Sequence, residues 1–286
     1  PISLLAALGS AAARQRARLA ALPLIATPHL ALAIGVVLVL APSGLLLRLL
    51  SPWLTGFSQP PDWPTVQDPW GLALIVGLVL KETPFLLIAL TTALAQVPAE
   101  RLLQQARVLG YGPMRGWLLA VAPLLQRQIA LPFAAVLVFG ISNVDVAIAL
   151  GPTTPPTFAL LLWEWFVEPD LSRRPLAAAG AIALMALGLC TLAAAWLAGG
   201  GLRRALASRA ASGRRGTHDA ALRRGVLIVG GVAGLLGLLA LAALWLRSLA
   251  PAWRFPTVWP AGLGLAAWQD ASASLAPAWH TTLLLG

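Results

Sequence analysis

Lys81 and Glu82 stand side by side near the middle of the apolar run Trp70 to Leu94, and Asn143 and Asp145 lie in the outer part of another, Gln128 to Leu150. An ionisable group in hydrocarbon costs at least ~2.5 to 3.5 kcal/mol on insertion scales, so each must face protein or water. Adjacent helical residues point about 100° apart, so Lys81 and Glu82 do not share a face. A lysine stem reaches along its helix, which makes Asn143 and Asp145 candidate partners. Two readings stand: these groups line a path across the membrane, or they tie helices together. Pro84 removes the hydrogen bond to the Leu80 carbonyl and can bend the run there. His29, after Pro28, is either a hydrogen-bonded packing residue or a proton relay. His218 and His280 have no partner legible from sequence, and the three histidines do not form the paired constellation that a membrane-embedded enzyme needs. The lone Cys190 sits in an apolar run, so it excludes an internal disulfide and supplies no metal-ligand cluster. No metal and no cofactor are expected, and without a glycine-rich P-loop any nucleotide hydrolysis must reside on another subunit.

These residues are set in a chain that is 59% hydrophobic and 10% charged, with a mean hydropathy of +0.82. Such values define an integral membrane protein. A span needs about 20 apolar residues at 1.5 Å rise each. Five runs qualify: Ala20 to Ala41, Trp70 to Leu94, Gln128 to Leu150, Leu176 to Leu197 and Gly225 to Leu246. The net charge of +10 could suggest nucleic acid, but its distribution argues for a membrane and no nucleic acid. Taken alternately, one set of connectors carries fourteen arginines, the other five. Positive charge marks the cytoplasmic side. Ten of the twelve tryptophans fall in or beside the opposite connectors, where an amphipathic ring prefers the interface.

Two connectors have more structure than a turn requires. On the outer side, "TFALLLWEWFV" (Thr157 to Val167) follows "GPTTPP" and suits a short helix lying on the surface, either as interfacial packing or as a docking element. On the cytoplasmic side, residues 96–127 hold "QQARVLGYGPMRGWLLAVAP". Glu100 suits a first turn, and Leu102, Leu103, Ala106 and Leu109 recur at helical spacing, with Arg101, Gln104, Gln105 and Arg107 on the other side. Gly110 fits the stop, Gly112 and Pro113 break the chain again, and Pro113 can open a second helix through Met114, Arg115 and Trp117. The expected result is a rigid knuckle of two short helices. The stretch 199–224, rich in Arg and Gly and containing Arg214, Arg215 and His218, has linker composition and could bind acidic lipid or simply be solvated.

The knuckle resembles the EAA loop of ABC importer permeases: E-A-A, three residues, G, nine residues, I, one residue, L-P. Gln104, Gln105 and Ala106 occupy the E-A-A positions, Gly110 the glycine, Ala120 the I, and Ala122 and Pro123 the L-P. The departures are Gln for Glu, Gln for the first Ala, and Ala at both aliphatic positions. Leu109 to Gly151 is similar to the loop and following span of fused permeases of the thiamine and ferric-iron type. "VQDPWGLALIVGLVLKETPFLLIAL" and "LGPTTPPTFALLL" look most like the YnjC-like permeases.

The resemblance implies an all-α, polytopic transmembrane bundle of the type I importer kind, in a bacterial inner membrane. It also implies an organisation: residues 1–198 as most of one permease half, 199–224 as a cytoplasmic linker, and 225–286 as the start of a second half. On this reading the chain, which opens on Pro1 and ends in an apolar run, is a fragment. The implied partners are a cytoplasmic ABC ATPase dimer, a periplasmic solute-binding protein, the second permease half and membrane lipid. Gln104, Gln105, Ala106, Arg107, Gly110, Gly112 and Pro123 would form the ATPase-coupling loop. The competing class is an ion-coupled secondary transporter using Lys81, Glu82 and Asp145, which leaves the knuckle without a use.

Overall fold

The computed structural model describes residues 1–213 and 219–285, so Arg214, Arg215 and His218 lie outside the described residues. These residues form helices and no strand: α1 (Ile2–Leu8), α2 (Ala11–Ala26), α3 (His29–Leu40), α4 (Leu45–Leu50), α5 (Leu72–Leu94), α6 (Ala99–Val108), α7 (Pro113–Gly116), α8 (Ala122–Gln128), α9 (Ala130–Ser142), α10 (Asp145–Leu150), α11 (Phe158–Val167), α12 (Arg174–Ala211), α13 (Ala220–Leu249) and α14 (Ala266–Leu285). Among them four segments are long and apolar enough to cross a membrane: His29–Leu50, Leu72–Leu94, Leu171–Ala211 and Ala220–Leu249.

Two expected spans are broken, each at a proline. The run Ala20 to Ala41 divides at Thr27, which is extended (φ −75°, ψ 131°) because the ring of Pro28 disfavours helix at the residue before it. Its apolar character therefore belongs to α2 and α3 in turn. The run Gln128 to Leu150 opens with a 66° bend between Pro113–Gln128 and Ala130–Ser142, where Pro132 has no N–H to return to the Gln128 carbonyl. It breaks again at Asn143, whose Oδ1 accepts from the Val146 N–H at 2.7 Å and starts α10.

Conversely, helix continues where linker composition predominated. α12 runs through Gly199, Gly200 and Gly201 to Ala211, which places Arg203, Arg204 and Arg209 on a helix. The short helix expected within Thr157 to Val167 is present as α11, where the Thr157 hydroxyl accepts from the Leu160 N–H.

Two apolar clusters hold the bundle. Leu32, Val36 and Val39 of α3 pack with Leu24 of α2, Leu80 of α5, Leu150 of α10 and Ala240 and Ala243 of α13. Nearer the knuckle, Leu5 of α1, Leu87 and Leu90 of α5, and Leu125 of α8 enclose Trp117 and Val121. α3 and α13 come together through small residues: a Cβ on Gly35 would lie 2.6 Å from the Ala240 carbonyl oxygen. That oxygen belongs to backbone and cannot rotate away. Gly35→Ala should therefore lower the thermal midpoint of the detergent-solubilised protein, at an overpacking cost of about 1 to 3 kcal/mol. An unchanged melt would contradict the close approach.

Polar links close one end of the bundle. Buried Arg48 donates to the carbonyls of Ser43, Trp253, Arg254 and Thr257 and stacks over the Trp253 ring at 4.9 Å. Asp68 accepts from the Leu72 and Ala73 N–H groups at 2.9 Å and fixes the start of α5. Burial opposes the charge on Asp68, but these backbone donors outweigh it and hold the carboxyl below its ordinary range.

Candidate functional site

The knuckle forms as two helices around a glycine corner. Glu100 lies in the first turn of α6 and Arg107 in the last, each complementing the helix dipole. Gly110 has φ +84°, the Gly110 N–H donates to the Arg107 carbonyl at 2.9 Å, and the Tyr111 N–H to the Ala106 carbonyl at 2.9 Å. This double closure is a Schellman turn, with the glycine at its left-handed position. Pro113 occupies the first turn of α7. The chain then forms a π-helical segment, Trp117–Val121, in which the Ala122 N–H bonds back to the Trp117 carbonyl. Pro123 enforces it, because it offers the Leu119 carbonyl no donor.

Each motif position has a definite place. Ala106 is buried, and a Cβ on Gly116 would approach its side chain to 3.0 Å, so α6 and α7 meet through small residues. Gly112 is buried, Pro123 half-buried, and Gln104, Gln105 and Arg107 are exposed. Leu109, expected on the packed face with Leu102 and Leu103, points out instead: it is 54% exposed and Val108 is 89% exposed. Leu109 caps α6 just where the Schellman turn reverses the chain, so the helical stripe ends one turn earlier. The knuckle thus presents two aliphatic side chains at its tip, flanked by Gln104, Gln105 and Arg107.

The intramembrane groups do not assemble as expected. Lys81 Nζ donates to the carbonyls of Leu24 and Ile25, each at 3.0 Å, and to that of Thr27. The Leu24 and Ile25 oxygens are among those α2 leaves without helical donors when Pro28 ends it, and Thr27 is its C-cap. Glu82 turns elsewhere, its Oε1 3.1 Å from His29 Nε2, and the His29 ring lies 4.6 Å from that of Phe139. Asn143 and Asp145 are partners to neither: Asn143 caps α10, and Asp145 is exposed with no ion pair among the described residues. His29 is thus hydrogen-bonded and packed, an arrangement compatible with both of its readings, packing residue and proton relay. Its pairing with Glu82 was not legible, because 53 residues separate them.

Asp219 escaped the sequence reading entirely. Its Oδ2 accepts from the backbone N–H groups of Met114 at 2.6 Å and Arg115 at 3.0 Å, closing the start of α7 from 105 residues away. The one available signal was a lone acid in the basic stretch "GRRGTHDAALRRG", immediately before a helix.

Fold and composition together define an all-α, multi-pass membrane protein. Comparison with known proteins agrees: the chain resembles the inner membrane ABC transporter permease protein YnjC of Escherichia coli (strain K12), at 37% identity over 171 residues. The matched region is 57% of this chain and 30% of that protein, so the chain spans less than a third of its relative's length. No family model matches the chain. No solved structure matches it significantly.

Proposed function

We propose that the chain is part of the membrane-spanning permease of an ATP-driven importer, which passes a small solute from a periplasmic binding protein into the cytoplasm. Residues 1–198 form most of one permease half and residues 225–286 begin a second. ATP hydrolysis belongs to a cytoplasmic ATPase dimer. The observation that carries the reading is the knuckle tip: Val108 and Leu109 project from a corner fixed by two backbone hydrogen bonds. A rigid apolar knob suits insertion into a groove of a partner, and a packed unit displaced at one end moves as a body.

The His29–Glu82 pair supports a second reading, an ion-coupled transporter in which Glu82 carries the proton. Proteoliposomes containing the full-length protein, its ATPase and its binding protein decide between them. Under the first reading uptake needs ATP and survives collapse of a proton gradient, and Glu82→Gln weakens transport without changing what drives it. Uptake that proceeds without nucleotide and stops when the gradient is collapsed overturns the first reading in favour of the second.

A further inference from the structure

The start of α13 makes two long-range polar bonds within five residues. Asp219 holds the N-terminus of α7, as described, with only 6% of its surface exposed. Arg223 Nε donates to the Ala7 carbonyl at the end of α1, at 2.8 Å. Asp219 also continues into α13 without a break, since its own carbonyl accepts from the Arg223 N–H at 3.0 Å. Gly112, the residue before α7, has no side chain with which to cap it. The cap therefore comes from another helix, and the carboxylate bonds to two backbone N–H groups at once.

The same helix packs closely at its other contacts. A Cβ on Gly230 would come within 2.6 Å of Leu4, and one on Gly237 within 3.0 Å of Leu24. Ala240 lies against Gly35 of α3, the helix that begins with His29. A displacement of α7 thus meets α13 through a buried charged bond, and α13 meets α3 through backbone contact. At Gly35 the contact is with backbone, which cannot rotate away.

We propose that Asp219 is a positioning residue that locks the knuckle to α13, so that the two move as one body and deliver knuckle motion to α3. The consequence for transport rests on the coupling reading above; the lock itself does not. The test uses the full-length protein in a Cys190→Ser background, with spin labels at Arg101→Cys in α6 and Ile228→Cys in α13, both exposed positions. Distances are measured by pulsed electron spin resonance without nucleotide and with ATP and vanadate in the assembled complex. The lock predicts a narrow distribution that shifts by less than ~2 Å between the two states. Asp219→Ala should at least double its width in the nucleotide-free state, whereas Asp219→Asn, which keeps a carbonyl acceptor, should restore most of the narrowness. The Asn variant also separates loss of the bond from loss of fold. An Asp219→Ala distribution as narrow as the native one, or a native distance that shifts with nucleotide, overturns the proposal. Failure of the coupling reading gives a different signature: no crosslink from a cysteine at Arg107 to the ATPase, whatever the distances show.

Discussion

Replacing Gly110 by valine is expected to cut disulfide crosslinking between a cysteine at Arg107 and the partner ATPase at least tenfold, with membrane insertion unchanged. The reason is local. At φ +84° a Cβ meets the following backbone, and the left-handed conformation costs a side-chain-bearing residue ~1 to 2 kcal/mol, more when it is branched. Valine relieves that strain by letting the Schellman turn open, which frees the carbonyls of Ala106 and Arg107 and swings Val108 and Leu109 away from their fixed positions. Asparagine tolerates the left-handed region and should retain most of the crosslinking. Equal yields from glycine and valine, in a complex shown to be assembled, would sink the coupling role of the knuckle.

Lys81→Met is expected to destabilise the bundle strongly. It keeps the length of the side chain and removes the ammonium, so the carbonyls of Leu24, Ile25 and Thr27 lose their shared donor. At about 1 to 3 kcal/mol for each unsatisfied buried group, the loss is roughly 3 kcal/mol or more. The measurement is the thermal midpoint of the detergent-solubilised protein, with Lys81→Arg as the control that keeps the charge and the donors. A methionine variant that melts with the native protein would show that these carbonyls do not depend on Lys81. The two predictions separate cleanly: Gly110→Val leaves the bundle intact and alters its dealings with a partner, whereas Lys81→Met loosens the bundle itself.

Some local chemistry was legible in the sequence because a residue's own backbone decided the outcome. Gly110 and Pro113 act within a few residues of themselves, and each is found where its turn or helix start required it. Proline was less informative than it could have been. Pro28 and Pro132 break runs that hydropathy alone joins, because a hydropathy count is blind to hydrogen-bond donors. Side-chain partners across the bundle were not legible. Lys81 faces carbonyls rather than a carboxylate, and backbone carbonyls leave no mark on sequence composition. Asp219 reaches α7 over 105 residues, a pairing set by how α13 packs.

The bond between Lys81 and the end of α2 also has an order in time. The three carbonyls precede their cation along the chain, the nearest by 54 residues. At ~5 to 20 residues per second of synthesis, the broken helix waits ~3 to 10 s before Lys81 emerges. Lys81 enters the bilayer after the residues that solvate it have been synthesised, so their carbonyls are available to offset the ~2.5 to 3.5 kcal/mol cost of inserting an ammonium. Alterations at Thr27 or Pro28 would therefore be felt during biogenesis, as a later hairpin that hesitates at the membrane, before they were felt in the finished protein.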